Sequence, residues 1–582
     1  MILELWHHLT AGRRRQFLSL LALMLIASLA EVISVGVIIP FLGALTAPER
    51  VFVHSAAQPF IRVLGIEGPQ MLLLPITFAF CIAALLAGGI RLLLLYVTTR
   101  YSYAVGADLS MDVYRRTLYQ PYAVHIARNS SEVINGITGK TAMMIGSVLV
   151  PLLTLISSTI LLSGILLVLL AVDPVIAIMV GVSFGVIYWL ILRATRRALQ
   201  KNSECIAQKS TQVIKSLQEG LGGIRDVLID GTQEAYCNIF RNADQPLRQA
   251  QGHNTFISAS PRYVIETLGM ILIAGLAYGM SQREGGVATA IPVLGALALG
   301  AQRLLPILQQ GYSALSIIRG AEISLRDTLA LLNQPLPAYV DTQPTASIPF
   351  EQEIGLKNVS FRFGAEMPWV FRGVNLRLGK GKRIGFMGKT GSGKSTLLDI
   401  VMGLLQPTEG VLEIDGQPID ARNQRAWQMH VAHVPQSIFL ADSTIEENIA
   451  FGLAKSDIDY DRVRQAARRA QIAELIETWP EAYQTVIGER GIRLSGGQRQ
   501  RIGIARALYK QADVIIFDEA TSALDQETES AVMEAINGLG QELTILIIAH
   551  RLTTLKNCDL IVELGQSGVK RVGRYNELIT IQ

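Results

Sequence analysis

Long apolar stretches in the first half of the chain are the feature that most constrains its fold. Each is long enough, or nearly so, to cross the roughly 30 Å hydrocarbon core of a bilayer as a helix. Charged residues make up only 17% of the chain, against about 25% in average soluble proteins. We therefore predict six membrane-spanning helices. Their ranges are Phe17–Thr46, Met71–Tyr96, Met143–Val172, Val175–Ile191, Arg262–Met280 and Val287–Gln309.

The orientation of these spans follows from the basic residues around them. Lys and Arg are concentrated before the first span and in the long segments after the second and fourth. Because cytosolic loops are rich in such residues, both termini are predicted to face the cytosol. The first apolar stretch continues past Ala30 to Thr46, so we expect a retained helix rather than a cleaved leader. The two long cytosolic segments are predicted to be helices with bends near Tyr119–Ala127 and Glu219–Val227.

The remaining composition excludes several classes of site and partner. The cysteines are far apart and form no CxxC pair, so neither zinc nor a disulfide framework is expected. The net charge is only +4, and no nucleic-acid partner is expected. Several prolines near residue 340 indicate a linker. The predicted domains are therefore a transmembrane domain over 1–330, a linker over 331–350 and a soluble α/β domain over 351–582.

A glycine-rich loop, "GKTGSGKST", follows a short predicted strand and opens a predicted helix. It satisfies the GxxxxGK[ST] pattern, in which backbone N–H groups and the helix N-terminus converge on phosphates. Lys394 is predicted to reach the outer phosphates of ATP, and the Ser395 hydroxyl is predicted to bind Mg²⁺. The ATP-binding residues predicted for this loop are Gly388, Lys389, Thr390, Gly391, Ser392, Gly393, Lys394, Ser395 and Thr396.

A second element of the same domain, "VIIFDE", reads as a buried parallel strand that ends in two carboxylates. Such a strand delivers acidic groups to the carboxyl edge of the sheet, where ligands bind. Asp518 is predicted to bind Mg²⁺, directly or through water, and Glu519 to polarise the attacking water. The sequence therefore predicts an ATP hydrolase.

A third element, "LSGGQRQR", places Ser495, Gly496 and Gly497 at the start of another predicted helix. That arrangement again suits phosphate. Since one ATP already has its cradle at Gly388, we expect this second site to cap ATP held by a different copy of the chain.

These motifs, together with six spans and a linker, resemble the ABC transporter family over the whole chain. "LSGGQ" matches the family signature, so Gln498 also joins the predicted ATP contacts. The resemblance implies an exporter-type, type IV fold with an all-α membrane domain followed by an α/β P-loop ATPase domain. It also implies a half-transporter that must dimerise. Because the catalytic motifs are intact, a homodimer is favoured over a heterodimer.

The same resemblance assigns further residues to the ATP site. Gln436 matches the residue that senses the γ-phosphate and Mg²⁺, and Asp525 lies in a "SALD" segment that resembles the D-loop. His550 resembles the switch histidine on the γ-phosphate. Phe363 occupies the adenine-stacking position, where the family commonly has Tyr; stacking needs only the aromatic face, so ATP binding is expected to survive.

The cargo is less constrained by sequence. Arg91, Arg262 and Arg303 lie at similar depths on three predicted spans, where ionisable residues are costly. They are interpreted either as an anion-binding set or as arginines that snorkel to the interface. Short strings around them resemble bacterial flippases for lipid-linked oligosaccharides, which favours a pyrophosphate-bearing lipid and a bacterial inner membrane. A lipid A or phospholipid flippase and a multidrug exporter are the alternatives.

Overall fold

The structure, a computed structural model, forms two compact units. The first comprises Met1–Tyr119 and Arg128–Pro335, and the second comprises Gln120–Ala127 and Leu336–Gln582. The residues it describes are 1–46, 48–53, 58, 61–62, 65, 68–172, 174–281, 304–337, 340, 348–519, 526–538, 540, 542–549, 551–565 and 568–579. A helical unit and an α/β unit are thus present, as predicted.

The described residues of the first unit are almost entirely helical. Its α-helices are Ile2–His8, Ala11–Thr46, Pro48–Val53, Leu73–Leu118, Ser130–Asn135, Thr141–Met144, Val150–Val172, Pro174–Gly222, Ile224–Ile229, Gln233–Ala259, Pro261–Ser281 and Glu322–Leu332. Residues 304–320 are also helical. Pro69–Leu72 forms a 3₁₀ turn, and Gly136–Lys140 and Ile145–Leu149 are π-helical.

The first five predicted spans lie within helical segments of this unit. Among the described residues, three helical stretches are long and apolar enough to cross a membrane by length and composition, namely Ala11–Ser34, Pro69–Leu118 and Ser130–Leu167. The fourth and fifth predicted spans fall within Pro174–Gly222 and Pro261–Ser281. Most of the sixth predicted span, Val287–Gln309, lies outside the described residues.

Both predicted bends in the long segments are present. One long helix ends at Leu118, and a separate short helix, Tyr122–Ala127, follows Pro121. Pro121 has no backbone N–H, so it cannot donate the hydrogen bond that a continuing helix would need at this position. The other long helix ends at Gly222, and Ile224–Ile229 follows it. Gly231 then adopts a φ of +64°, a conformation that glycine reaches without a Cβ clash, and the chain turns into the next helix.

The second unit is built on two β-sheets. Its strands are β1 (Glu353–Phe361), β2 (Phe371–Gly379), β3 (Arg383–Gly388), β4 (Glu409–Ile414), β5 (Gln417–Pro418), β6 (Val431–Val434), β7 (Val514–Asp518), β8 (Thr544–Ile548), β9 (Leu560–Gly565) and β10 (Gly568–Gly573). The larger sheet has the order β10-β9-β3-β8-β7-β6, and the smaller one β2-β1-β4-β5. The smaller sheet is antiparallel throughout.

Helices cover the larger sheet. The α-helices of the second unit are Tyr122–Ala127, Lys394–Val401, Gln424–Gln428, Ile445–Ile449, Tyr460–Arg469, Ala473–Glu477, Gly496–Tyr509, Gln526–Asn537 and Tyr575–Ile579. Short 3₁₀ turns occur at Lys455–Asp457, Ala482–Gln484, Glu489–Gly491 and Leu552–Leu555. Apart from Asp518 and Thr544, strands β7 and β8 are apolar, and they are almost completely buried, which is typical of parallel strands with helices on both faces.

Buried residues lie at both ends of the linker that the sequence predicts over 331–350. The helix Glu322–Leu332 runs two residues into it, because Leu329 and Leu332 are buried in the core of the first unit. At the other end, Ile348 and Phe350 already belong to the core of the second unit. Phe350 packs edge-on against Trp427, with ring centroids 5.5 Å apart. Apolar burial, rather than the proline pattern, sets both limits.

Candidate functional site

The parallel strands bring several predicted residues to one edge of the larger sheet. Strands β3, β8, β7 and β6 run parallel in that spatial order. The glycine loop follows β3, Glu519 follows β7, and Gln436 lies two residues beyond the end of β6. Carboxyl ends of adjacent parallel strands form the usual ligand-binding edge of such sheets.

Glycine is required at two positions of the loop after β3. Gly388 and Gly393 have φ angles of +152° and +85°. A Cβ on Gly388 would lie 2.4 Å from the Leu564 carbonyl oxygen. A Cβ on Gly393 would lie 2.7 Å from Cγ1 of Val370 and 2.9 Å from Cδ1 of Phe371. A side chain at either position would therefore clash with its neighbours. Glycine at both positions lets the loop keep a shape in which its backbone can approach an anion.

Lys394 opens the helix that follows this loop and folds back onto the loop. Its Nζ donates hydrogen bonds to the carbonyl oxygens of Gly388, at 2.9 Å, and Lys389, at 3.1 Å. Burial lowers the pKa of the Lys394 ammonium, while the carboxylates of Glu519 and Asp518 oppose that shift. A buried ammonium with neutral carbonyl partners is suited to neutralising an incoming phosphate.

One further observation in the loop fits a phosphate ligand. The buried Oγ of Ser392 has no hydrogen-bond partner among the described residues. Such an orphaned polar atom is costly unless a ligand or water satisfies it. The loop and the first helical turn hold the remaining predicted residues of the cradle: Thr390, Gly391, Ser395 and Thr396.

Glu519 sits directly after β7 in a constrained position. Its φ is +50°, which is uncommon for a residue with a Cβ. Its backbone N–H donates to the carbonyl oxygen of Ile548 on the neighbouring strand, at 3.2 Å. The side-chain amide of Gln436 donates to Oε2 of Glu519, at 2.9 Å. The structure thus joins two predicted catalytic residues that are 83 positions apart in sequence.

Sequence reasoning missed the residue that supports this pair. Gln500, on the helix that follows the signature, donates from Nε2 to the Gln436 carbonyl oxygen at 3.0 Å. Gln500 is buried, and its position just beyond "LSGGQ" carries no separate signal in the sequence. The signature helix therefore contacts the loop that carries Gln436.

We expect Gln500→Leu to slow ATP turnover about two- to tenfold, the effect of one neutral hydrogen bond. Without the Gln500 amide, the loop that places Gln436 against Glu519 is less well fixed. Steady-state phosphate release measures the effect. The matched control is Gln428→Leu, which removes a similar hydrogen bond to the Gly403 carbonyl oxygen, at 2.9 Å. Equal turnover in the two variants would contradict the role of Gln500.

The signature forms the start of a well-capped helix, Gly496–Tyr509. The Ser495 hydroxyl accepts a hydrogen bond from the backbone N–H of Gln498, at 3.3 Å, and Oε1 of Gln498 accepts one from the Ser495 N–H, at 2.8 Å. This reciprocal arrangement is a capping box. Ser495 and Gly496 are exposed, while Gly497 is buried. An exposed, rigid helix N-terminus is available to a phosphate from outside the chain.

The predicted adenine-stacking residue lies in the connection between β1 and β2. Phe363 is 52% exposed and meets Phe361 edge-on, with ring centroids 5.0 Å apart. Trp369, which sequence reasoning did not single out, has two guanidinium groups near its ring. The Arg362 and Arg372 groups are 4.6 and 4.8 Å from its ring centroid. This stack fixes the connection that carries Phe363.

The short helix Tyr122–Ala127 belongs to the second unit. Burial, and to a smaller extent the carboxylate of Asp399, raise the pKa of Tyr122. Asp399 lies on the helix that follows the glycine loop, Lys394–Val401. Burial and the carboxylate of Asp518 raise the pKa of Asp399 to about 6. One of the two predicted bends therefore lies electrostatically close to the helix of the phosphate loop.

Two of the three predicted cargo arginines, Arg91 and Arg262, have carboxylate partners. Arg91 forms an ion pair with Glu31, which lies on the first long helix. Nε of Arg262 donates to Oε1 of Glu266, at 2.7 Å. Both arginine side chains remain more than half exposed, at 52% and 62%. The third arginine, Arg303, lies outside the described residues, as do Asp525 and His550.

Comparison with known proteins agrees with this architecture. Residues 371–522 match the family model for the ABC transporter, and residues 17–291 match that for the ABC transporter transmembrane region. An ATP-dependent lipid A-core flippase of Cupriavidus metallidurans is 30% identical over 499 residues, which cover 83% of this chain and 81% of the relative. The chain belongs to the ABC transporter family.

Other similar proteins extend this result to the fold. An ATP-dependent lipid A-core flippase of Francisella tularensis subsp. tularensis is 28% identical over 477 residues, or 80% of this chain and 77% of that protein. A solved bacterial Atm1-family ABC exporter with ATP bound superimposes with a TM-score of 0.81 at 23% identity, over 98% of this chain and 97% of that one. This ABC transporter therefore has the exporter fold.

The family membership makes the chain an exporter-type half-transporter that binds ATP and couples its hydrolysis to transport. Its membrane domain and its bacterial relatives indicate a protein of the bacterial inner membrane. Lipid A-core is the cargo named for the two flippases above, and the comparisons do not extend that name to this chain.

Proposed function

We propose that this ABC transporter is a homodimeric flippase for lipids with an anionic headgroup, most specifically a lipid-linked oligosaccharide that carries a pyrophosphate. The observation that carries the proposal is the pair of half-exposed arginines, Arg91 and Arg262, on helices of the membrane unit. Guanidinium forks bind phosphate in a bidentate manner that ammonium groups cannot reproduce. Similarity to ATP-dependent lipid A-core flippases supports a lipid cargo in general.

In the proposed ATP site, each residue has a defined part. Lys394 neutralises the outer phosphates, and Gly388 to Gly393 cradle them with backbone N–H groups. Ser395, Asp518 and Gln436 would hold Mg²⁺, which when bound supplies charge neutralisation between the phosphates. Glu519 orients the attacking water and accepts its proton, and His550 contacts the γ-phosphate.

The signature helix supports a dimer with shared sites. Its exposed N-terminus offers a second phosphate-binding position in a chain that already has one cradle. We therefore propose that Ser495 to Gln498 of one copy cap the ATP held by the glycine loop of the other, with Asp525 at the same interface. Since both copies carry a complete set, a homodimer has two competent sites.

The bent segments carry the conformational change in this proposal. ATP shifts the equilibrium because it fits the closed pair of ATPase domains better than the open pair. Tyr122 interacts electrostatically with Asp399 on the helix of the phosphate loop, and it is proposed to sense closure at the ATP site. The segment Glu219–Val227 is proposed to act in the same way. With both termini cytosolic, the ATPase domains are on the side where ATP is present.

A second candidate cargo is lipid A or a related phospholipid. The relatives named as lipid A-core flippases favour it. Lipid A carries phosphate groups as well, so the arginine chemistry fits both cargoes. A multidrug exporter would not require anion-binding arginines.

The test of the cargo proposal is neutralisation of the three arginines, Arg91, Arg262 and Arg303, each to Gln. Loss of one charge-assisted hydrogen bond costs roughly 1.5–3 kcal/mol, so affinity for a pyrophosphate-linked lipid is expected to fall about ten- to a hundredfold. The Arg→Lys variants are expected to recover only part of it. Flipping of a labelled polyprenyl-pyrophosphate sugar in proteoliposomes is measured beside basal ATPase activity, which is expected to persist.

A matched control comes from a similar pair away from the spans. Arg248 pairs with Asp244 one helical turn away, at 3.1 Å, and is exposed like Arg262. Arg248→Gln is expected to flip normally. If all three neutralised variants flip the lipid at the wild-type rate, the arginines are interface anchors. A neutral lipid or a drug would then be the better supported cargo. Saturable flipping of lipid A with no flipping of the polyprenyl lipid would select the second candidate.

A further inference from the structure

The ion pair between Arg91 and Glu31 joins two helices that are predicted to span the membrane. Glu31 lies on the helix Ala11–Thr46 and Arg91 on the helix Leu73–Leu118. The two partners differ sharply in exposure: the Glu31 side chain is 6% exposed and the Arg91 side chain 52%. The carboxylate is thus held in the interior, while the guanidinium keeps a face that a ligand can reach.

Burial of Glu31 distinguishes this pair from the Arg262–Glu266 pair. A buried carboxylate needs a counter-charge, because it has little water to solvate it. The Arg262–Glu266 pair lies on one helix and both partners are exposed, and exposed pairs of this kind are weak. Of the two described cargo arginines, Arg91 is therefore the one whose charge is substantially offset by the protein itself.

We infer that Glu31 is an internal competitor for the anionic headgroup, which weakens cargo binding at Arg91 and restores the empty site after each transport cycle. This inference rests on the anionic cargo proposed above. While Arg91 neutralises Glu31, a phosphate approaching its exposed face meets a smaller net positive charge. When the cargo leaves, the Glu31 carboxylate again forms its ion pair with the Arg91 guanidinium without competition. Release of the cargo is therefore favoured.

The inference predicts a gain of affinity from a neutralising mutation. Glu31→Gln is expected to lower the KM for flipping of a labelled polyprenyl-pyrophosphate sugar about tenfold, the low end for a charge-assisted hydrogen bond. The maximal flipping rate is expected to fall as well, because the tighter cargo leaves more slowly. A purely structural role for Glu31 would lower the rate without lowering KM. Glu31→Asp, which keeps the charge on a shorter side chain, is expected to change KM in the same direction but less.

The same two helices provide the control. Arg13 of the first helix donates from Nε to Asp108 of the second, at 2.7 Å. In this pair the first helix carries the basic residue and the second helix the acidic one. Asp108→Asn breaks an interhelical ion pair without touching Arg91, and its KM is expected to match wild type. All variants are compared as full-length protein in proteoliposomes, with basal ATPase activity as the check of folding.

The outcomes separate this inference from the cargo proposal. If the wild-type protein flips the pyrophosphate lipid saturably but Glu31→Gln leaves KM unchanged or raises it, the competitor role is wrong and the cargo proposal stands. An equal fall of KM in Asp108→Asn would also overturn it, since the effect would then belong to helix packing. If the wild-type protein does not flip the anionic lipid at all, the cargo proposal itself fails. If Glu31→Gln loses basal ATPase activity, the Glu31→Asp variant is used instead. A lower KM in that variant supports the competitor role, and an unchanged or higher KM overturns it.

Discussion

Glu519→Gln is expected to lower steady-state ATP turnover by at least about a hundredfold, the usual contribution of a general base, while ATP still binds. Glu519 follows β7 at the ligand-binding edge, in a constrained backbone conformation and in contact with Gln436 at 2.9 Å. The substitution preserves shape and removes only the ability to accept a proton from water. Phosphate release reports turnover, and equilibrium binding of ATP to the same preparation reports affinity.

The control for this prediction is another glutamate of the same unit. Glu563 pairs with Lys570 and Arg571 on the adjoining strand β10, at 3.0 and 2.7 Å. Glu563→Gln removes a carboxylate outside the predicted catalytic set and keeps the shape of the side chain and an oxygen that accepts hydrogen bonds, so turnover is expected to stay within about twofold of wild type. Near-normal turnover in Glu519→Gln would remove that residue from the mechanism.

Mixed dimers are expected to show that each ATP site is built from two copies. One subunit carries Lys394→Ala, which removes the ammonium of the cradle. The other carries Ser495→Arg, which fills the exposed start of the signature helix and disrupts its capping box. If the sites are shared, both lesions fall in one site and the other remains chemically intact, so such dimers keep one competent site for nucleotide trapping.

The informative comparison places both lesions in one subunit beside a wild-type partner. Shared sites then leave each site with one lesion, and trapping is expected to be lost. Sites confined to single subunits predict the reverse pattern, with trapping kept when the lesions are together and lost when they are apart. Differently tagged subunits allow both dimers to be purified and trapped nucleotide per dimer to be counted. The reverse pattern would overturn the shared-site proposal.

Several features of this protein could be predicted from sequence because they depend on local pattern. An apolar run of bilayer length forms a helix in a membrane, since backbone groups in lipid must bond within the segment. The glycine loop is equally local: Gly388 and Gly393 are required by backbone angles and by close neighbours. An apolar strand that ends in Asp518 and Glu519 delivers those groups to a sheet edge by its own geometry.

Pairings between distant segments were decided by the tertiary structure. The supporting contact of Gln500 with the Gln436 loop and the ion pair of Arg91 with Glu31 link residues 64 and 60 positions apart. The spacing of residues in sequence carries no information about such contacts, because they depend on how separate elements pack. The surroundings of Phe350 were decided in the same way: it stands among prolines in the sequence, yet it is buried against Trp427 in the core of the second unit. Local backbone preferences determined the elements and the cradle, and long-range burial and charge pairing determined what each functional side chain touches.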